Sequence, residues 1–416
     1  MDDPDRNRIV PPSLCTKCGT CLAACPADAI FVDSFGFPHI NEETCTECST
    51  CRRVCPGWGV NFSQIEEELG MNGDNNPYLG NYGSTHIGQA SDETLRDNAS
   101  SGGVVSALLI HAFEEDLIEA ALVVGSHPES PWQAHPKIVR SKEDVAATQQ
   151  SKYSSSFVNE PLKGLQDVER LAVVGKPCDI QGIRLLEQTN PEIRDKIRYH
   201  IGIFCGFGHT LPQGCDFLLS KMGLRRDDVA EFKFRDGPYP GGLSITKKGG
   251  KRVWIPKDEY KLWNPLFMLP RCIYCIDFAA ELADISVGDA FSLAPDKTGW
   301  STMITRTSQG RDLVQSAVQK NVLNVKNISP EAIIKSQKFM ARFKKDGAFA
   351  RLQASNTRTQ ISYVTETKGV RENSHLFSLK HRLLHIVFQL RFIPISFFQL
   401  LPFTVFRRSS KILKRE

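Results

Sequence analysis

Residues 15–26 read CTKCGTCLAACP, and residues 45–56 read CTECSTCRRVCP. Both follow the pattern C-x2-C-x2-C-x3-C-P, which is typical of bacterial ferredoxins that carry two [4Fe–4S] clusters. The first three cysteines of a run lie in one tight loop, whereas the fourth begins a turn away and reaches the other cluster. The pattern predicts one ligand set of Cys15, Cys18, Cys21 and Cys55, and a second set of Cys45, Cys48, Cys51 and Cys25.

A pair of zinc knuckles is the alternative for these two motifs. A four-cysteine zinc site normally uses two C-x2-C pairs, not three cysteines in step followed by Cys-Pro, so the spacing favours clusters. The segment between the motifs predicts a short hairpin with a turn near Ser34–Gly36. Such a module has no substrate pocket of its own, and its predicted role is electron transfer.

The composition limits the other classes of function. The chain has 416 residues, enough for several domains, and a net charge of +4, which gives no sign of nucleic-acid binding. Eight of the 13 cysteines lie within residues 15–55. The N-terminus has no apolar signal segment, so we expect cysteines that stay reduced in the cytoplasm and bind metal.

The middle of the chain indicates an α/β domain. Residues 61–90 are rich in Gly and Asn and indicate a linker. A helix is predicted from Val104 to Glu114, followed by a strand over Ala120–Gly125. The small residues before the helix could bind a phosphate through free N–H groups, or could simply cap the helix. Lys152, in the stretch QSKYSSS, could hold an anion or lie in a solvated loop.

Four of the remaining cysteines indicate a further metal site. A strand over Leu171–Val174, a turn and a helix place one cysteine at their junction, and a second strand, HIGIFC, ends at another. A C-x2-C pair follows in PRCIYC, and alone it is compatible with zinc or with a dithiol. Together the four could hold a third [4Fe–4S] cluster: Cys178, Cys205, Cys272 and Cys275. Cys215 lies in an apolar helical pattern and is expected to be a buried core thiol.

Five sequence blocks, in this order, resemble the beta subunit family of coenzyme F420 hydrogenases and dehydrogenases: SSGGVVSALL, QSKYSSS, VVGKPCDIQGIRLL, GIFCGFGHT and PRCIYCIDFAAELADISVGD. The resemblance covers roughly residues 80–345. Members of this family are flavoproteins that bind FAD and usually at least one [4Fe–4S] cluster. They pass electrons between a deazaflavin, coenzyme F420, and iron–sulfur centres.

The resemblance implies roles for individual residues. It places the third cluster on the four cysteines named above. Lys152 and Lys176 become candidate catalytic residues that contact an anionic cofactor. Asp289 lies in a shared block without an assigned role, and the absence of G-x-G-x-x-G gives no support for a Rossmann NAD site. The implied flavin-binding residues are Ser100, Ser101, Gly102, Gly103, Lys152, Tyr153, Gly175, Lys176 and Pro177.

The implied function is oxidation of reduced coenzyme F420. Electrons would pass through FAD and the third cluster to the two ferredoxin clusters, or in the reverse direction, and FAD would connect two-electron with one-electron chemistry. The acceptor would be a membrane-bound or ferredoxin-type partner. Two alternatives remain open: a ferredoxin-dependent flavoprotein that reduces an organic substrate, and a non-catalytic electron-transfer subunit.

The C-terminal residues 376–416 have a different composition from the rest of the chain. They combine an amphipathic pattern with basic flanks and an apolar run of about 15 residues, shorter than the roughly 20 that a spanning helix needs. An anchor on the cytoplasmic face of a membrane is expected, with docking to a partner or internal packing as alternatives. The predicted fold combines α+β and α/β classes: a two-cluster ferredoxin domain (1–60), a linker (61–90), an α/β flavin-binding domain (91–345) and a helical tail (346–416).

Overall fold

The structure, a computed structural model, describes residues 7–206, 212–260, 267–354 and 361–365. Within these ranges the strands are β1 (Ile30–Val32), β2 (Pro38–Ile40), β3 (Gly59–Asn61), β4 (Asp74–Asn76), β5 (Gly80–Tyr82), β6 (Ser84–Ala90), β7 (Ala120–Ser126), β8 (Ala134–Val139), β9 (Leu171–Gly175), β10 (Ile197–Ile203), β11 (Val229–Asp236), β12 (Gly242–Lys247), β13 (Arg252–Pro256), β14 (Ile285–Asp289), β15 (Ser301–Thr305), β16 (Leu323–Asn327) and β17 (Ser362–Val364).

The α-helices in the same ranges are α1 (Thr20–Ala24), α2 (Thr50–Arg53), α3 (Phe62–Glu68), α4 (Glu93–Asp97), α5 (Val104–Glu114), α6 (Lys142–Ala147), α7 (Pro177–Thr189), α8 (Pro191–Lys196), α9 (Pro212–Lys221), α10 (Lys257–Tyr260), α11 (Ser308–Gln319), α12 (Pro330–Ser336), α13 (Lys338–Ala341) and α14 (Gly347–Ala354). A π-helical turn, Arg342–Asp346, connects the last two.

A mixed eight-stranded sheet forms the centre of the molecule, in the order β16-β6-β15-β14-β10-β9-β7-β8. The four strands β14, β10, β9 and β7 are parallel, and the outer strands pair antiparallel. Because parallel strands end at the same edge, β9, β10 and β14 lead to Cys178, Cys205 and Asp289 on one side of the sheet. The predicted mixed α/β architecture is confirmed.

Side chains alternate along the central strands, so the sheet has two buried faces. On one face Ala172 and Val174 pack with α5 and α11. On the other face Leu171 and Val173 pack with α7, α3 and α14, and Val54 of the ferredoxin module joins this core. The ferredoxin module is therefore part of the layer that covers the second face of the sheet.

The two ferredoxin motifs fold as structural repeats. The backbone is left-handed two and four residues after the first cysteine of each motif, at Lys17 and Gly19 and again at Glu47 and Ser49. A short helix follows each of these loops, α1 in the first and α2 in the second. The predicted hairpin between the motifs is confirmed as the antiparallel pair β1–β2.

Several predicted elements are confirmed, and two segments are corrected. The helix Val104–Glu114 has the predicted bounds. The helix predicted after the strand Leu171–Val174 is α7, which begins at Pro177, so Cys178 lies in its first turn. Residues 61–90 are not a simple linker, because they contain α3, the β4–β5 hairpin and β6, which pairs on both sides in the large sheet.

The expected tail does not begin at residue 346. Helix α14 packs into the core through buried Ala348 and Leu352, and β17 pairs with β3 beside the ferredoxin module. Among the described residues, no helix is long and apolar enough to cross a membrane. The amphipathic stretch 376–416 lies outside the described residues.

Candidate functional site

The second ferredoxin set lines a small cavity near the surface. Ile30 and Ile40 of the β1–β2 hairpin complete the wall. The backbone N–H of Ala29 donates to the Cys25 sulfur at 3.3 Å, and the backbone N–H of Glu47 donates to the Cys45 sulfur at 3.4 Å. Such N–H groups stabilise thiolates bound to iron. The cavity gathers the whole predicted set: Cys25, Cys45, Cys48 and Cys51.

The first ferredoxin set lies on the inner side of the module. Cys15, Cys18 and Cys21 are buried. Burial raises the pKa of the Cys21 thiol, and the nearby sulfurs of Cys18, Cys55 and Cys15 raise it further. A thiol in such a place would stay protonated unless a metal displaced the proton, so the four sulfurs fit a shared metal cluster.

Asn159 joins the first set to helix α7. Its backbone N–H donates to the Cys18 carbonyl at 2.8 Å, and its Nδ2 donates to Thr20 Oγ1 and the Asp179 carbonyl, both at 2.9 Å. A Cβ on Gly182 of α7 would stand 2.1 Å from Thr20 Oγ1. The Thr20 side chain of the ferredoxin module therefore packs directly on the α7 backbone at Gly182, where a larger residue would not fit.

The two repeats differ at the position that faces this contact. Gly19 is followed by α1, and a Cβ there would lie within 3 Å of the Phe157 backbone. The equivalent residue of the second repeat, Ser49, is exposed and keeps its side chain. The first set thus faces the rest of the protein, and the second set faces solvent.

The third predicted set also converges on one pocket. The residues of this set come from the first turn of α7, the segment after β10 and the 3-10 turn Pro270–Tyr274 with the residue that follows it. Burial raises the pKa of the Cys272 thiol to about 12. Thr16, next to Cys15, lines the same pocket, so the third set adjoins the first. The four cysteines in the wall are Cys178, Cys205, Cys272 and Cys275.

Arg271 is buried between the third set and the first. Its Nε donates to the Gly57 carbonyl at 3.1 Å, and its Nη2 donates to the Pro56 carbonyl at 3.3 Å and to Tyr363 Oη at 2.5 Å. Its Nη1 is buried without a hydrogen-bond partner among the described residues. A buried guanidinium nitrogen requires an acceptor, and an anionic cluster in this pocket would supply one.

Lys344 is the second buried cation of this pocket. Its side chain is 1% exposed. Burial lowers its pKa, but the sulfurs of Cys275, Cys205 and Cys272 more than offset this, so the pKa lies above its usual value. The residues present therefore fit a negatively charged cluster. Sequence reasoning missed both cations, since neither has a motif of its own.

The structure describes no group of three His, Cys, Asp or Glu side chains placed to hold a single metal ion. In a [4Fe–4S] cluster each thiolate binds a different iron, so its ligand sulfurs stand farther apart than those around one ion.

The implied flavin residues divide between two places. Ser100 Oγ accepts a hydrogen bond from the Ser151 N–H at 2.8 Å, which joins the SSGG block (residues 100–103) to the SKY block (residues 151–153). The GKPC block (residues 175–178) instead borders the third cysteine set, where Pro177 lines the pocket. Gly102 is required by packing, because a Cβ would stand 2.5 Å from the Gly88 carbonyl oxygen.

Both candidate catalytic lysines bind groups of the protein itself. Lys152 Nζ donates to the carbonyls of residues 148, 149 and 150, and burial lowers its pKa to about 7. Lys176 Nζ pairs with buried Asp179 at 2.5 Å. Their contact with an anionic cofactor stays a prediction.

An ionic cluster lies beside the SSGG and SKY blocks, and we call it the Asp289 cluster: Tyr153, Arg235, Lys257 and Asp289. The Asp289 carboxylate lies 3.1 Å from Arg235 Nη1 and 3.1 Å from Lys257 Nζ. Arg235 Nη1 also lies 3.3 Å from Tyr153 Oη, and its Nη2 donates to the Ser100 carbonyl. Asp289 ends β14, and the two cations come from the three-stranded sheet β11–β12–β13 and helix α10.

The charge of the Asp289 cluster fits an anionic ligand. Two cations share one carboxylate, and they lower the pKa of Tyr153 although burial alone would raise it. Tyr239 and the 42% exposed Phe291 lie at the rim, with Tyr239 Oη accepting from the Phe291 N–H at 3.1 Å. Arg235 and Lys257 were missed because neither strand β11 nor helix α10 carries a sequence motif.

A second buried ionic network supports α7. His200 on β10 lies between two carboxylates, with Nε2 2.7 Å from Glu187 and Nδ1 3.1 Å from Asp284. Arg184 bonds both carboxylates. Burial and Arg184 lower the pKa of His200, but the two carboxylates outweigh them and leave it raised. The network fixes α7, which carries Cys178, against the sheet.

Three family models match the chain. Residues 14–60 match a 4Fe-4S dicluster domain. Residues 85–163 and 168–331 match the N-terminal and C-terminal parts of the coenzyme F420 hydrogenase/dehydrogenase beta subunit.

Individual relatives agree with these matches. The coenzyme F420 hydrogenase subunit beta of Methanothermobacter thermautotrophicus is 32% identical over 264 residues, covering 60% of this chain and 86% of that protein. The coenzyme F420-dependent sulfite reductase of Methanocaldococcus jannaschii is 29% identical over 355 residues, covering 82% of this chain but 51% of that protein.

A solved structure shares the fold. A chain from the F420-reducing [NiFe] hydrogenase complex of Methanosarcina barkeri superposes with a TM-score of 0.56 at 23% identity, covering 72% of this chain and 99% of that one. The chain described here belongs to the coenzyme F420 hydrogenase/dehydrogenase beta subunit family and carries an N-terminal 4Fe-4S dicluster domain.

Proposed function

We propose that this protein is an oxidoreductase that transfers electrons between reduced coenzyme F420 and iron–sulfur clusters through FAD, and onward to a redox partner protein. The observation that carries the proposal is the spatial order of the three cysteine sets. The third set lies at the carboxyl edge of the parallel strands, the first set adjoins it, and the second set lies near the surface. The names of the relatives support F420 as the two-electron substrate.

The contact between the third and first sets is built from buried groups. Arg271 precedes a cysteine of the third set and bonds the carbonyls of Pro56 and Gly57, which directly follow Cys55 of the first set. Asn159 and Gly182 hold α7 against the first set from another side. Such packing keeps the distance between neighbouring clusters short and constant, which electron transfer requires.

The flavin would bind near the Asp289 cluster and the SSGG and SKY blocks. Bound FAD supplies the exchange between hydride chemistry and one-electron transfer. Arg235 and Lys257 provide positive charge for an anionic ring or phosphate, and Tyr239 and Phe291 provide aromatic surface that excludes water. Ligands of α/β sheets bind at this carboxyl edge, which agrees with the placement.

The second set is proposed as the point of exchange with the partner. Cys48 is exposed, whereas Cys15, Cys18 and Cys21 are buried. On the neighbouring hairpin Phe31 is 53% exposed and Phe35 76% exposed. Exposed aromatic residues beside an accessible cluster fit a transient contact with a one-electron carrier protein.

The test is a coupled assay with anaerobically purified protein. Oxidation of reduced F420 is followed by absorbance while a ferredoxin serves as acceptor. We expect F420 oxidation that depends on the ferredoxin. Protein that contains flavin and clusters but leaves reduced F420 unchanged would refute the proposal.

One alternative has a specific observation in its favour. The second cysteine set, with its exposed Cys48, can accept electrons from ferredoxin as well as donate them. In this alternative, electrons enter from ferredoxin at the second set and reduce a substrate at the flavin. Reduced ferredoxin that bleaches the flavin of the protein, with no response to reduced F420, would support this alternative.

A further inference from the structure

Lys344 has an uncommon position for a lysine. It lies in the π-helical turn Arg342–Asp346, its side chain is 1% exposed, and it lines the pocket of the third cysteine set. Single π-turns inside helices occur frequently at functional sites. The family models end at residue 331, so this turn lies outside the matched segments.

The next residue shows how a buried lysine is ordinarily stabilised. Lys345 is also buried, and its Nζ lies 2.5 Å from Glu281 Oε1. Consecutive side chains of a helical turn point in different directions, so the two lysines face different surroundings, and only Lys344 lines the pocket. Lys344 faces sulfur atoms, those of Cys275, Cys205 and Cys272. These sulfurs can balance a buried ammonium when they carry the negative charge of iron-bound thiolates.

We propose that Lys344 raises the reduction potential of the cluster held by the third cysteine set, an inference that rests on the proposed function. Reduction adds one electron to the cluster, and a fixed positive charge stabilises the reduced form more than the oxidised form. Salt screens buried charges weakly, so the effect persists at physiological ionic strength. Lys344 acts by changing the electron affinity of the cluster and takes no direct part in a reaction step.

The experiment compares Lys344→Met with Lys345→Met. Each protein is purified anaerobically, its iron is measured, and its clusters are titrated potentiometrically with electron paramagnetic resonance as the readout. In Lys344→Met we expect the equilibrium constant for reduction of the third cluster to fall at least about tenfold, or 59 mV for one electron. The signals of the ferredoxin clusters should keep their potentials.

Lys345→Met is the matched control, because it removes a buried lysine from the same turn. It should weaken folding through unpaired Glu281 and leave the third potential unchanged. Lys344→Gln, which keeps a nitrogen donor but no charge, is measured beside it and should shift the potential in the same direction as Lys344→Met.

The outcomes separate this inference from the proposed function. A third signal that is present in the Lys344 variants at the wild-type potential would overturn the role of Lys344 and leave the proposed function standing. Loss of the third cluster from both Lys344 variants would also overturn it, because the lysine would then be needed for assembly. A wild-type protein without a third cluster would overturn both.

Discussion

Removing the carboxylate of Asp289 is expected to destabilise the protein strongly. Its side chain is 16% exposed and pairs with Arg235, which is 2% exposed, and with Lys257, which is 13% exposed. Asp289→Asn keeps the shape of the side chain but leaves two cations facing each other without a counter-charge. These contacts also hold the three-stranded sheet against the carboxyl end of β14.

The size of the effect follows from burial. Removing one partner of a buried ion pair costs about 3–5 kcal/mol, because the remaining charge stays desolvated. The partial exposure of Asp289 places the expected loss near the lower end, at about 3 kcal/mol. Asp236→Asn is the matched control on β11, since Asp236 pairs with a 54% exposed Arg252 and should cost about 1 kcal/mol or less.

The assay is anaerobic urea unfolding of both variants and the wild type, followed by tryptophan fluorescence. The difference in the free energy of unfolding between the variants should be about 2 kcal/mol, with Asp289→Asn the less stable. If Asp289→Asn unfolds at the same urea concentration as Asp236→Asn, the carboxylate does not hold the two sheets together and the account of this cluster is wrong.

Three further predictions concern the cysteine sets and the buried histidine. Cys178→Ala should lose about a third of the bound iron, because one of the three proposed clusters loses a ligand, whereas Cys215→Ala, in the core around Trp132, should keep it all. Cys48→Ala should keep reduction of the flavin by reduced F420 and lose most of the transfer to ferredoxin, measured in the coupled assay. The pKa of His200 is raised in the folded protein, so the fold is stabilised while the imidazole is protonated. The free energy of unfolding should therefore fall as pH rises above about 6.5, by at most about 1.4 kcal/mol per pH unit.

Each of these predictions has a contradicting result. Equal iron loss in Cys178→Ala and Cys215→Ala would mean that the third set is wrongly assigned. Unchanged transfer to ferredoxin in Cys48→Ala would exclude the second set as the exchange point. His200→Gln removes the titrating group, so a pH dependence that persists in this variant would show that His200 is not its source.

The cysteine sets were predictable because iron ligation imposes a local spacing on the chain. Each C-x2-C-x2-C-x3-C-P motif carries its own geometry, and the structure gathers Cys45 with Cys25 as the pattern predicts. Cys178 and Cys205 could be placed together because buried parallel strands end at one edge of a sheet. Local apolar periodicity was also sufficient for the helix Val104–Glu114.

The ionic groups around the sites could not be predicted in the same way. Arg235 and Asp289 are 54 positions apart, and no local pattern marks an arginine on a strand as buried. Lys344 belongs to none of the five blocks that carry the family resemblance, and it enters the pocket through a π-helical turn that no sequence pattern predicted. The two lysines chosen from sequence, Lys152 and Lys176, instead bind carbonyls and Asp179. Side-chain partners at long sequence separation depend on the folded topology.

An anaerobic titration of the purified protein with reduced coenzyme F420 tests the central claim most directly, with flavin and cluster absorbance recorded together. We predict that both bleach in the same titration, since the proposed route runs from the flavin through the third set to the ferredoxin module. If neither bleaches while dithionite reduces both, reduced F420 is not the electron donor, and the proposed function is wrong.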